Sequence, residues 1–153
     1  GINILALWIV VDIIEKKTGV RKISELGGLG IKSPALAVFL VIIAFANIAL
    51  PLSNSFVSEF LMFNGLFHFN KWFAAFACLG IVLSAVYMLS MVQKVFYGKV
   101  NVLAEKAKPM SIAQNIVLFV IVISIIVLGI YPEPVIHLTQ STVTDILSRV
   151  ILK

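Results

Sequence analysis

The chain has 153 residues, of which 61% are hydrophobic and 12% are charged, and its net charge is +5. A soluble domain is typically about 45–50% apolar and about 25% charged, so this composition excludes an ordinary soluble domain and a disordered segment. The single cysteine, Cys78, excludes a disulfide framework within the chain and a multi-cysteine metal site. The basic residues lie between hydrophobic runs, which favours a membrane protein over a nucleic-acid-binding protein.

The first apolar run, within residues 1–14, would be about 20 Å long as a helix, whereas the hydrocarbon core of a bilayer is about 30 Å thick. We therefore expect it to be the C-terminal part of a transmembrane helix, and the chain to be a fragment of a longer protein. Residues 15–33 are predicted to form a basic loop. Within this loop, the Gly27-Gly28-Leu29-Gly30 stretch has no preceding strand and no Lys-Ser/Thr pair, so it is not a phosphate-binding loop, and we interpret it as a flexible link.

The second apolar run, residues 34–67, is too long for one straight crossing of a bilayer. Pro51 lies in its middle, where a proline removes a backbone donor and clashes with the preceding turn. Small polar residues that can cap a new helix follow the proline: Ser53, Asn54 and Ser55. The sequence therefore predicts a discontinuous transmembrane helix, with half-helices at roughly 34–49 and 54–67 joined by unwound backbone.

This predicted break is the first candidate functional feature. Unwound backbone persists at membrane depth only where protein buries it or a water-filled cavity meets it, so a broken helix is a candidate ion-transfer site. A proline kink with local repair is the alternative, and the break alone does not decide between them. The residues predicted to form the break and a hydrated path are Asn47, Pro51, Ser53, Asn54 and Ser55.

Two further crossings are predicted at residues 72–97 and 111–131, separated by a basic loop at 98–110. The sequence places three polar side chains of the first crossing on one helix face, which we interpret as helix-packing contacts: Ser84, Tyr87 and Ser90. The last segment, residues 132–153, alternates apolar and polar positions at helical spacing. We expect it to be an amphipathic helix at the membrane interface or against a partner.

The starts of two helices also carry capping signals. Ser33 and Pro34 place an N-cap residue and a proline at the first helical position of the broken helix. Ser111 and Gln114 have the spacing of a capping box at the start of the last crossing. Both signals fix where the predicted crossings begin.

The distribution of basic residues predicts an orientation. Nine of the twelve lysines and arginines lie in or beside the loops at 15–33 and 98–110. Successive crossings place these two loops on the same side of the membrane, and the positive-inside rule assigns that side to the cytoplasm or the mitochondrial matrix.

Glu59 is the only acidic residue deep within a predicted crossing. A charge at the centre of a bilayer costs about 3 kcal/mol even on lenient scales. Burial disfavours its charged form, whereas a nearby cation or a helix N-terminus favours that form, so such a carboxyl group can accept and release a proton. Ser55 lies one turn before Glu59 and is placed to hydrogen-bond it. We interpret Glu59 as a proton-transfer residue; a carboxyl group that only holds helices together is the structural alternative.

Several short motifs occur in a specific order along the chain: Ser24-Glu25-Leu26-Gly27-Gly28-Leu29, Pro34-Ala35, Ala46-Asn47-Ile48-Ala49-Leu50-Pro51 and Phe56-Val57-Ser58-Glu59-Phe60. This ordered set resembles the C-terminal part of the antiporter-like, proton-translocating subunits of respiratory complex I. Its F-x-x-E-F element is similar to that of the M-type (chain-4) subunits among them. The likeness covers nearly the whole chain and weakens in the tail.

The resemblance implies an all-α integral membrane protein built from inverted repeats, of which this chain would be the last four helices, and it places Glu59 near the exit of a proton path. It implies no cofactor in this chain, with NADH, FMN, iron–sulfur clusters and quinone in other subunits of NADH:quinone oxidoreductase. The implied partners are the N-terminal remainder of the subunit, other complex I membrane subunits and the lipid bilayer, without nucleic acid. The implied location is a bacterial plasma membrane, favoured over a mitochondrial inner membrane.

Two alternatives stay open at the level of sequence. The first is a subunit of a multisubunit cation/proton antiporter or of a membrane-bound hydrogenase, because these assemblies share the fold. The second is a non-transporting membrane scaffold. The sequence has no nucleophile–base pair, no metal-ligand cluster and no dinucleotide-binding glycine pattern, so we expect no redox chemistry in this chain.

Overall fold

The computed structural model describes residues 1–97 and 109–151, and the side chains of residues 1–97 and 109–148. Residues 98–108, most of the second predicted basic loop, lie outside the described residues, as do residues 152–153. The orientation deduced from loop charge therefore stays a prediction.

The described residues are helical and contain no strand. A 3₁₀ turn at Ile23–Glu25 lies between the first two of the seven α-helices found in this part of the chain. The helices are α1 (Ile2–Thr18), α2 (Leu29–Lys32), α3 (Pro34–Asn47), α4 (Asn54–Phe69), α5 (Lys71–Phe96), α6 (Ile112–Ile130) and α7 (Glu133–Ile151).

Helix α3 lies at the centre of the bundle and packs against α1, α4, α5 and α6. Its buried face, which includes Leu36, Leu40 and Ile43, meets Val10 of α1 and Leu118 of α6 in one hydrophobic core. Helix α4 contacts α5 and α6 but has no fully buried residue. The two halves of the broken helix thus differ: α3 is a core helix and α4 is peripheral.

Helices α5 and α6 are long and apolar enough to cross a membrane, and the shorter apolar helix α3 accompanies them within the described residues. Only 11% and 22% of the most apolar windows of α5 and α6 are buried within the chain. The core helix of a soluble protein would be mostly buried. The apolar side chains of α5 and α6 instead face outward, which is typical of helices that contact lipid or other membrane helices.

Helix α1 extends four residues beyond the predicted apolar run and carries Lys16 and Lys17 in its last turn. It ends at Gly19, which has φ 73° and whose backbone N–H donates to the Glu15 carbonyl oxygen at 2.7 Å. A glycine in the left-handed conformation is a common helix end because it has no Cβ to clash. The basic segment therefore begins as helix rather than as loop.

The glycine-rich stretch after the 3₁₀ turn is packed, so its interpretation as a flexible link is wrong. Gly27, Gly28 and Leu29 are buried, and Gly28, with φ 68°, precedes the first residue of α2. A Cβ atom at Gly30 would lie 3.0 Å from the carbonyl oxygen of Phe96. The glycines thus let the backbone of this segment lie directly against the end of α5.

The two capping signals have different outcomes. Ser111 forms the predicted capping box: its hydroxyl accepts from the Gln114 backbone N–H at 3.3 Å, and the Gln114 side chain accepts from the Ser111 N–H at 3.0 Å. Ser33 precedes Pro34 as predicted, but its buried hydroxyl has no partner among the described residues. Helix α2 ends at Lys32, and the Ser33 N–H donates to the Leu29 carbonyl oxygen at the end of that helix. The Ser33 backbone (φ −135°, ψ 66°) therefore lies outside the region that an N-cap residue usually adopts.

The tail forms a helix, α7, whose described side chains at 133–148 are all exposed. Its docking at the membrane interface or against a partner stays a prediction.

Candidate functional site at the helix break

The connection between α3 and α4 is non-helical from Ile48 to Ser53 and contains Pro51, as predicted. Helix α3 ends at Asn47, two residues earlier than the sequence suggested. Ala49 (φ 54°) and Leu52 (φ 77°) both adopt the left-handed conformation. This conformation costs a non-glycine residue about 1–2 kcal/mol, so neither residue continues a right-handed helix and the break is held open by its surroundings.

The backbone of the break is partly hydrogen-bonded to itself. The Leu50 N–H donates to the Phe45 carbonyl oxygen at 3.2 Å, and the Ser53 N–H donates to the Leu50 carbonyl oxygen at 3.1 Å. The Ser53 hydroxyl donates to the same Leu50 oxygen at 2.7 Å and accepts from the Phe56 N–H at 3.3 Å. Ser53 therefore caps α4, which confirms that a small polar residue after the proline starts the second half-helix.

Gly129 of α6 forms one wall of the break. A Cβ atom there would collide with the Leu52 carbonyl oxygen and would lie 2.6 Å from the Ser53 carbonyl carbon. The backbone of α6 thus passes directly against the unwound segment. The sequence signal of this close approach is that Gly129 is the sole glycine of a long apolar helix.

Glu59 lies on the second turn of α4 and is half-buried. It faces a cavity of about 220 Å³ between the end of α3, α4 and the middle of α5, and Asn47 and Ser84 also line this cavity. The Asn47 amide nitrogen donates to the Ile43 carbonyl oxygen at 2.8 Å. In liquid water one molecule occupies about 30 Å³, so the cavity has room for several waters beside three polar side chains.

The structure therefore brings Asn47 and Glu59 together and adds Ser84, which the sequence analysis had assigned to helix packing. The Ser84 hydroxyl also lies 3.5 Å from the Tyr87 hydroxyl on the next turn. Within the described residues, Glu59 has no hydrogen bond or ion pair, and no three His, Cys, Asp or Glu side chains are grouped as a metal site requires. The cavity thus places one carboxyl group beside an amide and a hydroxyl.

The other predicted path residues are distributed around the break. The Ser55 hydroxyl accepts a hydrogen bond from the Asn3 amide at 2.6 Å, and no hydrogen bond joins Ser55 to Glu59 among the described residues. Asn54 faces a separate cavity of about 300 Å³ near Pro132. Pro51 is exposed. A hydrated path along these residues stays a prediction.

Residues 2–86 match the family described as NADH:quinone oxidoreductase/Mrp antiporter, TM. The chain is 32% identical over 145 residues to NADH-quinone oxidoreductase subunit M of Rhodobacter capsulatus, and 28% identical over 141 residues to NADH-ubiquinone oxidoreductase chain 4 of Yarrowia lipolytica. These alignments cover 94% and 92% of this chain but 28% and 29% of the relatives.

The fold is also similar to a solved structure, that of respiratory complex I from Thermus thermophilus with bound NADH. The superposition has a TM-score of 0.73 and 28% sequence identity, and it covers 78% of this chain and 25% of the matched chain. In length, the chain thus corresponds to somewhat more than a quarter of the curated relatives that it matches.

Proposed function

The chain belongs to the NADH:quinone oxidoreductase/Mrp antiporter transmembrane family, and we propose that it acts as the C-terminal part of subunit M (chain 4) in the membrane arm of an NADH:quinone oxidoreductase, complex I. Its role is to contribute the exit part of a proton-translocation path that is coupled to electron transfer. The observation that carries this proposal is Glu59, a half-buried carboxyl group beside a helix break that faces a largely apolar cavity, which Asn47 and Ser84 also line.

In this proposal the redox chemistry belongs to other subunits, which hold NADH, FMN, iron–sulfur clusters and quinone. The N-terminal remainder of the subunit and the neighbouring membrane subunits supply the rest of the proton path. The protein is integral to the membrane, in a bacterial plasma membrane or, less favoured, a mitochondrial inner membrane.

The geometry suggests how Glu59 works. A proton arriving from the interior of the subunit enters the cavity of about 220 Å³ and protonates the carboxylate, which removes a charge from a largely apolar site. The amide of Asn47 and the hydroxyl of Ser84 offer hydrogen-bond partners to the waters that carry the proton. Release follows toward the side of the membrane opposite the basic loops, the periplasm or intermembrane space.

A subunit of a multisubunit cation/proton antiporter is the second candidate, because the family description itself includes the Mrp antiporters. The two candidates use the same carboxyl group but have different neighbours in the membrane. Purification of the full-length subunit from its source membrane discriminates them: NADH-oxidising subunits copurify in the first case and are missing in the second.

The test of the proton-transfer role is Glu59→Gln in the full-length subunit within its assembled complex. We expect NADH-driven proton translocation into membrane vesicles to fall at least about tenfold, because glutamine keeps the size of the side chain but carries no exchangeable proton of suitable affinity. Glu133→Gln, an equivalent change at an exposed position in α7, is the control and should leave the rate unchanged. Unaltered translocation in an assembled Glu59→Gln complex would exclude the proposal and favour a scaffold role.

A further inference from the structure

Asn3, in the first turn of α1, connects α1 to both halves of the broken helix. Its side chain is buried, with 7% of the residue exposed. The amide nitrogen donates to the Ser55 hydroxyl at 2.6 Å and lies 3.5 Å from the Ala46 carbonyl oxygen. One side chain thus touches the last turn of α3 and the first turn of α4, across the unwound segment between them.

The orientation of the Asn3 amide determines which side chain is the donor and which is the acceptor in this contact. Two oxygens face the same atom of Asn3, and only the NH₂ end of an amide can donate to both of them. The Ser55 oxygen therefore acts as acceptor toward Asn3, and its own O–H must point elsewhere. A serine hydroxyl fixed in this way is a donor toward its other neighbours.

Glu59 is the nearest ionisable side chain along α4 from Ser55. The two residues are four apart, so their Cβ atoms lie about 5–6 Å from each other on the helix surface. No direct hydrogen bond joins the two side chains among the described residues, and a bridging water molecule can connect polar side chains that do not meet directly. Because the Ser55 oxygen accepts from Asn3, its own O–H stays available to donate into such a bridge.

The oxygen atom of the Asn3 amide is a second sign of bound water at the break. Its Oδ1 atom is buried and has no donor among the described residues, and the same holds for the Oδ1 atom of Asn54 beside Ser55. Buried polar atoms nearly always have a hydrogen-bond partner, which is either protein or ordered water. Two such acceptors therefore lie next to the break, where ordered water could satisfy them.

We propose that Asn3 is a positioning residue: it fixes the Ser55 hydroxyl as a donor toward Glu59 through a bound water molecule, and so sets the hydrogen bonding of the proton-transfer carboxyl group. This inference rests on the proposed function of Glu59. Asn3 itself exchanges no proton in the process. Its effect passes through the Ser55 hydroxyl and the bridging water.

The first experiment is a double-mutant cycle in the full-length subunit within its complex. Asn3→Leu and Ser55→Ala should each lower the rate of NADH-driven proton translocation about threefold to tenfold, the range that one hydrogen bond accounts for. The double variant should be no slower than the slower single variant, because both changes break the same connection. Ser55→Thr keeps the hydroxyl and should restore most of the rate.

Ser58→Ala is the matched control. Ser58 lies on the same helix, and its hydroxyl donates to the Ser55 backbone oxygen at 2.9 Å without contact to Asn3. It should leave the rate within about twofold of the parent, since a surface hydroxyl with only a local backbone bond contributes little. Additive effects of Asn3→Leu and Ser55→Ala, or a Ser58→Ala variant as slow as either of them, would overturn the proposal.

Infrared difference spectroscopy supplies a readout that does not depend on proton pumping. The carboxyl C=O band that disappears in Glu59→Gln belongs to Glu59, and it should shift in Asn3→Leu and in Ser55→Ala but not in Ser58→Ala. An unshifted band in both variants shows that Asn3 does not act on Glu59, even if Glu59 carries protons. If the band shifts in Asn3→Leu and Ser55→Ala but the Glu59→Gln variant pumps protons normally, the proposed function of Glu59 is wrong. The connection between Asn3 and Glu59 would then still hold.

Discussion

The broken helix α3–α4 and the continuous helix α6 are both strongly apolar, yet their polar side chains have different hydrogen-bond partners. In α6 the Ser124 hydroxyl donates to the Val120 carbonyl oxygen at 2.8 Å, and the Asn115 amide donates to the Ser111 carbonyl oxygen at 3.2 Å, so both bonds stay within the helix or its cap. In α3–α4 the Ser55 hydroxyl is bonded to another helix. Asn47 and Ser58 of the broken helix also bond within their own halves, so the difference lies at the break itself, where Ser55 bonds across to α1.

This difference separates a membrane crossing from a candidate site. Hydropathy identifies both segments, but only the broken one places a carboxyl group beside a cavity. The two segments meet at Gly129, where α6 packs on the unwound backbone. The following three predictions test how each region is built, and they are ordered by the size of the expected effect.

Gly129→Ala should have the largest effect, a loss of about 3 kcal/mol of stability, because the new Cβ meets backbone atoms that cannot rotate away. The thermal midpoint of the detergent-purified complex, or the yield of assembled complex, measures it. Gly65→Ala is the matched control, since a Cβ at that helical glycine meets no atom within 4 Å. If both variants behave alike, the close approach of α6 to the break does not exist.

Ser111→Ala should destabilise the start of α6 by about 1 kcal/mol, because it removes the acceptor of the Gln114 N–H. Ser33→Ala, the same change at the start of α3, should be neutral, since that hydroxyl has no partner among the described residues. Hydrogen exchange of the first-turn amides, followed by mass spectrometry, compares the two sites. Equal protection losses at the two sites would mean that the structural contrast between these caps is wrong.

Leu52→Gly should have the smallest effect and should stabilise the protein by about 0.5 kcal/mol, as relief of the left-handed strain exceeds the added chain entropy. Leu50 has no positive φ, so Leu50→Gly relieves no strain, and the added chain entropy and lost apolar contact should destabilise by at least about 0.5–1 kcal/mol. Thermal midpoints of the two variants give the sign directly. Destabilisation by both glycines would show that Leu52 is not strained.

Local signals in the sequence predicted much of the structure. The capping box at Ser111, the helix break around Pro51 and the cap of α4 by a small polar residue were all predicted, because each depends on residues within one helical turn. The ordered motifs predicted the family, which the matches confirm. The partner that the structure gives the Ser55 hydroxyl is Asn3, a residue 52 positions away in the sequence, which no local pattern could have indicated.

The sequence by itself determined that this protein is an apolar, all-helical membrane chain with one broken helix and one carboxyl group inside a crossing, because hydropathy and proline chemistry act locally. Only the tertiary structure decided which side chains meet Glu59, that Gly129 allows α6 to reach the break, and that the glycine stretch at 27–30 is packed. These outcomes depend on contacts between helices far apart in the chain. No periodicity or capping signal within a single segment reports such contacts.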